Sequence, residues 1–415
     1  MTVPLESPRQ GADSVASLLA VVNLVRTGQA RTRPGLMQAL GLGRAVIAQR
    51  VEQAIDIGYL EESELGESTG GRAPRTLRFR ADRGRILVCA MGGLHLRVGV
   101  SDLNGTILAS DRSEWDISAG ALETLAVAGE LIDDLLAREE AGTAPIWGIG
   151  VGVPGPVDFA TGRPVAPPIM PGWDGFDLRG HFEQRYNATT WVDNDVNLLA
   201  LAERSRRGPD DDLNLIYLKV GTGIGAAFVF DGELYRGASG AAGDIGHSRD
   251  LRGETVECRC GRTGCLEATA SGWALVRDAE AALAAGEPSE LAAVRKEHPI
   301  RPEDIAIAAR HFDQLALRLV GLSAERTGET IANLTNALNP SAIVVGGAIS
   351  SGADAFVVPF RRIVADRALP LISQKLTVSR SQGNPDEPIR GGNALVVEQL
   401  FERTFAAWFA DGTPV

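Results

Sequence analysis

Between Gly243 and Glu267 the chain reads GDIGHSRDLRGETVECRCGRTGCLE, a stretch that holds three of its four cysteines and one of its five histidines. His247, Cys258, Cys260 and Cys265 offer soft or borderline donors, and Gly253, Gly261 and Gly264 let the loop fold back on itself. Four such donors suit one tetrahedral cation, and zinc is the natural occupant. The competing reading is free thiols, or one disulfide with a thiol to spare. The opening MTVPLESPRQ has no signal-peptide apolar region, so an oxidising compartment is not expected and the metal reading is preferred. Four protein ligands close the coordination shell against substrate, which makes the expected role structural. The loop would pin Asp244 and Glu267 near one wall. Cys89, far away in the apolar run Ile86 to Ala90, reads as a buried core thiol.

A chain of 415 residues can build two or three domains with a substantial core. No apolar run approaches the roughly 18 residues needed to cross a bilayer, so a cytoplasmic protein without membrane contact is expected. The net charge of −12 is unevenly spread. Residues 1 to 84 carry 11 Arg and no Lys against 9 Asp and Glu, a net +2, which leaves −14 on the remainder. A weakly basic head on an acidic body is consistent with a DNA-reading module attached to an effector domain.

The head has the punctuation of three helices. Asp13 or Ser14 can cap a helix with Val15, Leu18, Leu19, Val22 and Val25 on one face, ending at Thr27-Gly28. Thr32 with Pro34 in the first turn announces a second helix that stops at Gly41. The third runs from about Gly43 to Ile57, burying Ile47, Val51 and Ile55, and closes at Gly58. Three helices with a tight turn before the third make a helix-turn-helix. Arg44 in the first turn of the third helix, with Gln49 and Arg50 turned away from its apolar face, are the candidate DNA contacts. An acidic linker (Glu61, Glu62, Glu64, Glu67) precedes STGGRAPRTLRFR, which reads as two polar strands around a Gly-Gly turn. These resemble the wing of a winged helix, with Arg72 at a tip able to enter a minor groove. The plainer alternative is a small helical interaction domain with a solvated basic hairpin.

From Arg85 strands and helices alternate, which argues for α/β with mixed sheets. RILVCAMGG, LHLRVGVSDL and GTILASDR read as a meander with an Asn104-Gly105 turn, and IWGIGVGVPGPVD as a buried strand. Helices are expected over 122–138, 178–186, from the Asp193-Asn194-Asp195 turn, and over 272–284, 289–295, 302–310 and 312–336. Strands are expected at 189–192, 213–220, 226–230 and 342–345, and a terminal helix over 392–410. No internal repeat or low-complexity segment is evident in the sequence.

GAAGDIGH followed by CRCGRTGCLE resembles the signature of the ROK family, whose name joins repressors, open reading frames and kinases. The resemblance extends over Arg85 to Phe401. It implies a two-lobed domain of the actin and hexokinase kind over 85–415, with lobe one at about 85–205 plus the C-terminal helix and lobe two at about 206–390. The winged helix-turn-helix over 1–84 would precede it. Asp195, beside Asn194, matches the catalytic base of the family's sugar kinases; taken locally, the pair is an ordinary helix cap. Asp244 stands where those kinases carry Glu. His247 matches a residue that binds zinc through one nitrogen and sugar through the other. Glu267 completes the implied sugar set. Pro168-Ile169-Met170 lies where the family places an asparagine before the PGW turn, so one sugar contact is missing, and Trp173 reads as packing.

The nucleotide side departs further. The family's kinases open with Asp-x-Gly-Gly-Thr, whereas this chain has Ala90-Met91-Gly92-Gly93-Leu94, with neither the metal-serving carboxylate nor the hydroxyl. Gly221, Thr222, Gly223 and Gly225 of GTGIG, together with Gly346-Gly347, keep phosphate-type turns, a weak signal alone. The expectation is a sugar-responsive, DNA-binding repressor acting on operator DNA as a homodimer or dimer of dimers, with a structural zinc and a carbohydrate effector. The rival is an ATP-dependent sugar kinase carrying a DNA-binding head.

Overall fold

The computed structural model describes residues 8–65, 75–208, 213–352, 354–409 and 413–414. The head contains α1 (Pro8–Arg26), α2 (Arg33–Leu40) and α3 (Arg44–Asp56), followed by an antiparallel pair, β1 (Leu60–Leu65) and β2 (Arg75–Phe79). α1 begins before the expected Asp13 or Ser14 cap. α2 starts as expected: the Thr32 hydroxyl accepts from the Gly35 N–H at 3.2 Å, and Gly41 stops the helix at φ 64°. Leu18, Val22, Leu36, Ile47, Val51, Ala54 and Leu77 form its core. Ile55 is only partly buried and Ala54 takes its place, because positions 47, 51 and 54 follow the 3.6-residue period more closely than a strict four-residue step.

Glu61, Glu62 and Glu64 of the expected acidic linker lie instead in β1, while Glu67 falls outside the described residues. Glu61 faces Arg78, with Arg78 Nε donating to Glu61 at 2.7 Å. Glu62 accepts from Arg33 at 2.8 Å and from Arg75, and these two guanidinium groups hold its carboxyl below the usual range. Opposite charges across the ladder thus specify the pairing. Arg72 and the Gly-Gly turn lie outside the described residues.

Two five-stranded sheets build the body. The first holds β3 (Arg85–Met91), β4 (His95–Asp102) and β5 (Ile107–Glu114), then α4 (Ala121–Leu136), β6 (Ile146–Val153) and the two-residue ladder β7 (Val157–Asp158) and β8 (Arg163–Pro164). α5 (Leu178–Tyr186), β9 (Thr190–Asn194) and α6 (Asp195–Arg207) follow. The second holds β10 (Leu215–Val220), β11 (Ile224–Phe230) and β12 (Glu233–Tyr235). After the cysteine loop come α7 (Leu266–Ala270), α8 (Gly272–Ala284), α9 (Leu291–Glu297), α10 (Pro302–Arg310) and α11 (Gln314–Leu338). β13 (Ala342–Gly346), α12 (Asp354–Arg367), α13 (Pro370–Ser373) and β14 (Thr377–Arg380) complete it.

Strand order is β5-β4-β3-β6-β9 in one sheet and β12-β11-β10-β13-β14 in the other. Each is an antiparallel meander continued by two parallel strands. The chain therefore repeats one topology twice, a duplication the sequence does not display. Among the described residues no helix is long and apolar enough to cross a membrane.

α14 (Glu387–Glu398) returns to the first sheet, lying on α6, β3 and β6. It starts five residues before the expected Gly392, since Pro388 falls in its first turn, where the ring is tolerated. Two glycines permit the approach: a Cβ on Gly391 would stand 1.8 Å from the Leu198 carbonyl oxygen, and one on Gly392 would stand 2.4 Å from Val88. The expected single terminal helix is interrupted by a π-helical turn at Gln399–Arg403 and resumes as α15 (Phe405–Trp408). Phe401, Phe405 and Trp408 interlock with Trp147 of β6 and with Tyr59 and Phe79 of the head, ring centroids lying 5.2–6.5 Å apart.

Candidate functional site

A cavity of about 430 Å³ lies between the two sheets, bounded by strand ends and the turns that follow them. On the first-sheet side, β9 delivers Asp193 and Asn194 to the mouth of α6. Asn194 caps that helix: its Oδ1 accepts from the Val196 N–H at 2.8 Å, and its Nδ2 donates to the Gly155 carbonyl at 3.0 Å. Asp193 is buried and accepts from Arg236 at 2.8 Å and Asn197 at 2.6 Å, which fixes the turn. The cap reading is therefore correct for Asn194 and leaves Asp195, one residue on, facing the cavity.

Asp195 is ion-paired with Lys219 of β10 across the cleft. Its side chain is 12% exposed and the lysine's 21%, so solvent screens the pair only partly. Lys219 escaped the sequence reading. The signal was there: one of only three lysines stands inside the apolar strand IYLKV, directly before GTGIG.

The opposite wall carries Asp244, His247 and Glu267. His247 sits between two environments: its Nδ1 is 3.7 Å from Cys258 Sγ, and its Nε2 is 3.8 Å from Asp244 Oδ1. Glu267 accepts from the Ile224 N–H at 3.1 Å, and burial pushes its carboxyl above the usual range. Asn194, Asp195, Asp244, His247 and Glu267 thus all border one cavity, as the family resemblance implies.

Beside it, the donor atoms of His247, Cys258, Cys260 and Cys265 lie within 4.8 Å of one another. Cys260 Sγ and Cys265 Sγ are 3.7 Å apart and all four cysteines are free, so no disulfide has formed. That spacing equals the edge of a tetrahedron with metal–sulfur bonds of ~2.3 Å, about 3.8 Å. Gly261 (φ 82°) and Gly264 (φ 73°) make the reversal that brings Cys265 back to Cys258. The donor set fits a metal ion. Cys89 is buried in the first sheet, its thiol pushed up to about 12 by burial, as a core residue should be.

Near the end of β3, Ala90 is buried and apolar. The imidazole of His95 lies over Gly92, its Nε2 2.6 Å from where a Cβ would stand. Burial first, then Lys219 and Arg97, push His95 down to about 4, so it is neutral at physiological pH. In GTGIG, the carbonyls of Gly221 and Thr222 accept from Gly272 and Trp273 at 2.8 and 3.1 Å, which ties the turn to α8. Thr222, Gly223 and Gly225 all border the cavity. Trp173 is fully buried, which supports the packing reading, and Met170 is buried beside it.

On the head, Arg44 and Gln49 are exposed on α3. Arg50 instead donates to Ser17 Oγ at 2.9 Å and to Gln53 at 3.3 Å, which ties α3 to α1. The arginines of β2 face acidic partners, so the described strands do not form a bare basic surface.

The family model described as "ROK family" matches residues 87–399. The xylose repressor of Caldicellulosiruptor bescii is 27% identical over 382 residues, covering 92% of this chain and 95% of that protein. The glucokinase of Halalkalibacterium halodurans is 31% identical over 315 residues, covering 74% of this chain and 94% of its own length. The crystal structure of a ROK family transcriptional regulator, homolog of the E. coli MLC protein, superposes with a TM-score of 0.78 at 25% identity, covering 94% of this chain and 97% of that one. The chain therefore belongs to the ROK family.

Proposed function

We propose that this protein is a sugar-responsive transcriptional repressor, with residues 1–84 reading operator DNA and residues 85–415 sensing a carbohydrate. The observation behind the reading is a cleft that gathers Asn194, Asp195, Asp244, His247 and Glu267 while position 90 carries no carboxylate. Asp195 is engaged by Lys219, and Ala90 offers no ligand for a magnesium ion. The repressor relative, unlike the glucokinase, aligns over nearly the whole chain, head included.

Asn194, Asp195, Asp244, His247 and Glu267 would hold the sugar hydroxyls. His247, Cys258, Cys260 and Cys265 would hold zinc, which, when bound, supplies structural rigidity and fixes the imidazole tautomer. His247 Nε2, facing the cleft beside Asp244, is then left to donate to a hydroxyl. Arg44 and Gln49 would meet base edges in the major groove, while Arg50 steadies the helix that presents them. Arg72 remains a candidate for the minor groove.

Movement at the cleft reaches the head through packed elements. Asp195 opens α6, α6 bears directly on α14, and α14 leads through the π turn to the aromatic wedge under the head. Two such heads in a dimer would lose the spacing of their half-sites when the wedge shifts. The test is an operator-binding titration with promoter fragments and a sugar panel. Specific binding released by one sugar is expected; if no fragment binds specifically, the reading falls.

A retained kinase activity is the second reading, favoured by the exposure of Asp195 to the cavity and by the GTGIG turn. A coupled assay over the same panel with ATP and magnesium is expected to yield no ADP above background.

A further inference from the structure

A second cavity, also of about 430 Å³, opens beside the first and shares five wall residues with it: Gly93, Leu94, Pro168, Ile169 and Thr222. The two cavities adjoin along these residues. The second is walled by Asp116, Ile117 and Ser118 from the first sheet's half, and by Arg259, Trp273 and Ile300 from the other. Arg301 joins Glu114 at 3.2 Å across the outer rim. Nothing in the reading above uses this space.

Its lining has the chemistry of a pyranose subsite. Trp273 gives an indole anchored by its backbone, which donates to the Thr222 carbonyl at 3.1 Å. The guanidinium of Arg259 lies over that ring at 4.5 Å, and Arg277 lies 5.5 Å from it. Arg277 is spent on Asp278 and the Ala268 carbonyl. Among the described residues Arg259 makes no hydrogen bond, so stacking orients its planar set of N–H donors without consuming them. Asp116 adds an acceptor and Ile169 and Leu94 an apolar floor. Hydroxyls beside C–H faces call for this mixture.

Position relates the two compartments. Glu267 approaches the turn that divides them, its Oε2 2.6 Å from where a Cβ on Gly223 would stand, next to Thr222. Arg259 is near enough to act on the Glu267 charge. A ring held by Glu267 and His247 would therefore direct a substituent at its bound end toward Arg259 and Trp273.

Resting on the proposed sugar-sensing role, we infer that the effector has more than one ring. The first cavity takes the terminal sugar, and the second takes a glycosidically linked sugar in the space bordered by the Trp273–Arg259 stack and Asp116. Specificity then lies partly in the linkage, since only some disaccharides can turn the corner at Thr222.

Calorimetric titration of the intact, metal-loaded protein with three matched pairs tests this: xylose and xylobiose, glucose and cellobiose, N-acetylglucosamine and chitobiose. At least one disaccharide is expected to bind ten-fold or more tighter than its monosaccharide. Ser118→Trp, which fills the second cavity from an exposed position, is expected to remove that advantage and leave monosaccharide affinity unchanged, and Arg259→Ala should reduce it. If a monosaccharide binds and no disaccharide does better, or if the advantage survives Ser118→Trp, the second subsite is refuted while sugar sensing stands. If no sugar of either size binds, both fall.

Discussion

Lys219 and His95 show how single partly buried residues set the electrostatics of the cleft. Lys219 supplies a fixed internal cation opposite Asp195 in a cleft without a carboxylate at position 90. Lys219→Met leaves that carboxylate partly buried without its counter-charge, and the expected loss is about 2 kcal/mol, below the range for fully buried pairs. Denaturant unfolding of the variant checks it. His95 gives a pH dependence with a defined sign. Its folded value of about 4 lies below the ordinary 6.5, so the unfolded chain takes up a proton first as pH falls. The stabilisation is complete above about pH 6.5 and fades toward pH 4, at no more than ~1.4 kcal/mol per pH unit. Melting curves of His95→Gln should lack this part of the acid sensitivity. The His247, Cys258, Cys260 and Cys265 cluster was readable because its residue types are rare and closely spaced, whereas the gathering of Asn194, Asp195, Asp244 and Glu267 at one cavity was implied only by the family resemblance. For Lys219 the apolar strand around it marks the lysine as unusual, but its partner lies 24 positions away and so stays out of reach of local reading.

Elements with local punctuation were legible, and those defined by distant contacts were not. Thr32, Gly41 and Gly58 marked the head's helices because caps and left-handed turns are one-residue devices. α12 was missed because Pro359 interrupts its pattern, and β14 because a four-residue strand with little burial has no period to read. β1 was mistaken for a linker because its stability comes from arginines elsewhere, Arg33 and Arg78 among them. Equally invisible was the closeness of α6 and α14, which rests on an absent side chain. Gly391→Ala would drive a Cβ into the Leu198 carbonyl, where backbone cannot yield cheaply. A loss on the order of 3 kcal/mol is expected. Calorimetric melting is the measurement, and a wild-type midpoint would show that the two helices are less tightly coupled than the geometry requires.

For the molecule as a whole, the joint between head and body is aromatic, with Trp408 touching Tyr59 of the head and Trp147 of the first sheet. Trp408→Ala should leave sugar affinity intact and weaken the coupling between sugar and operator. Titrating operator binding with and without the effector reads this directly, and an unchanged ratio of the two affinities would remove the wedge from the route. The repeated strand order has a consequence of its own. The turn after β3, at Gly92-Gly93, and the turn after β10, at Gly221-Thr222-Gly223, occupy equivalent places in their sheets, and Gly93 meets Thr222 where the halves touch. Were one half to swing as a rigid body, both turns would part together, so a guest would be clasped or let go along its full length in one step, and the output would be a toggle rather than a dial.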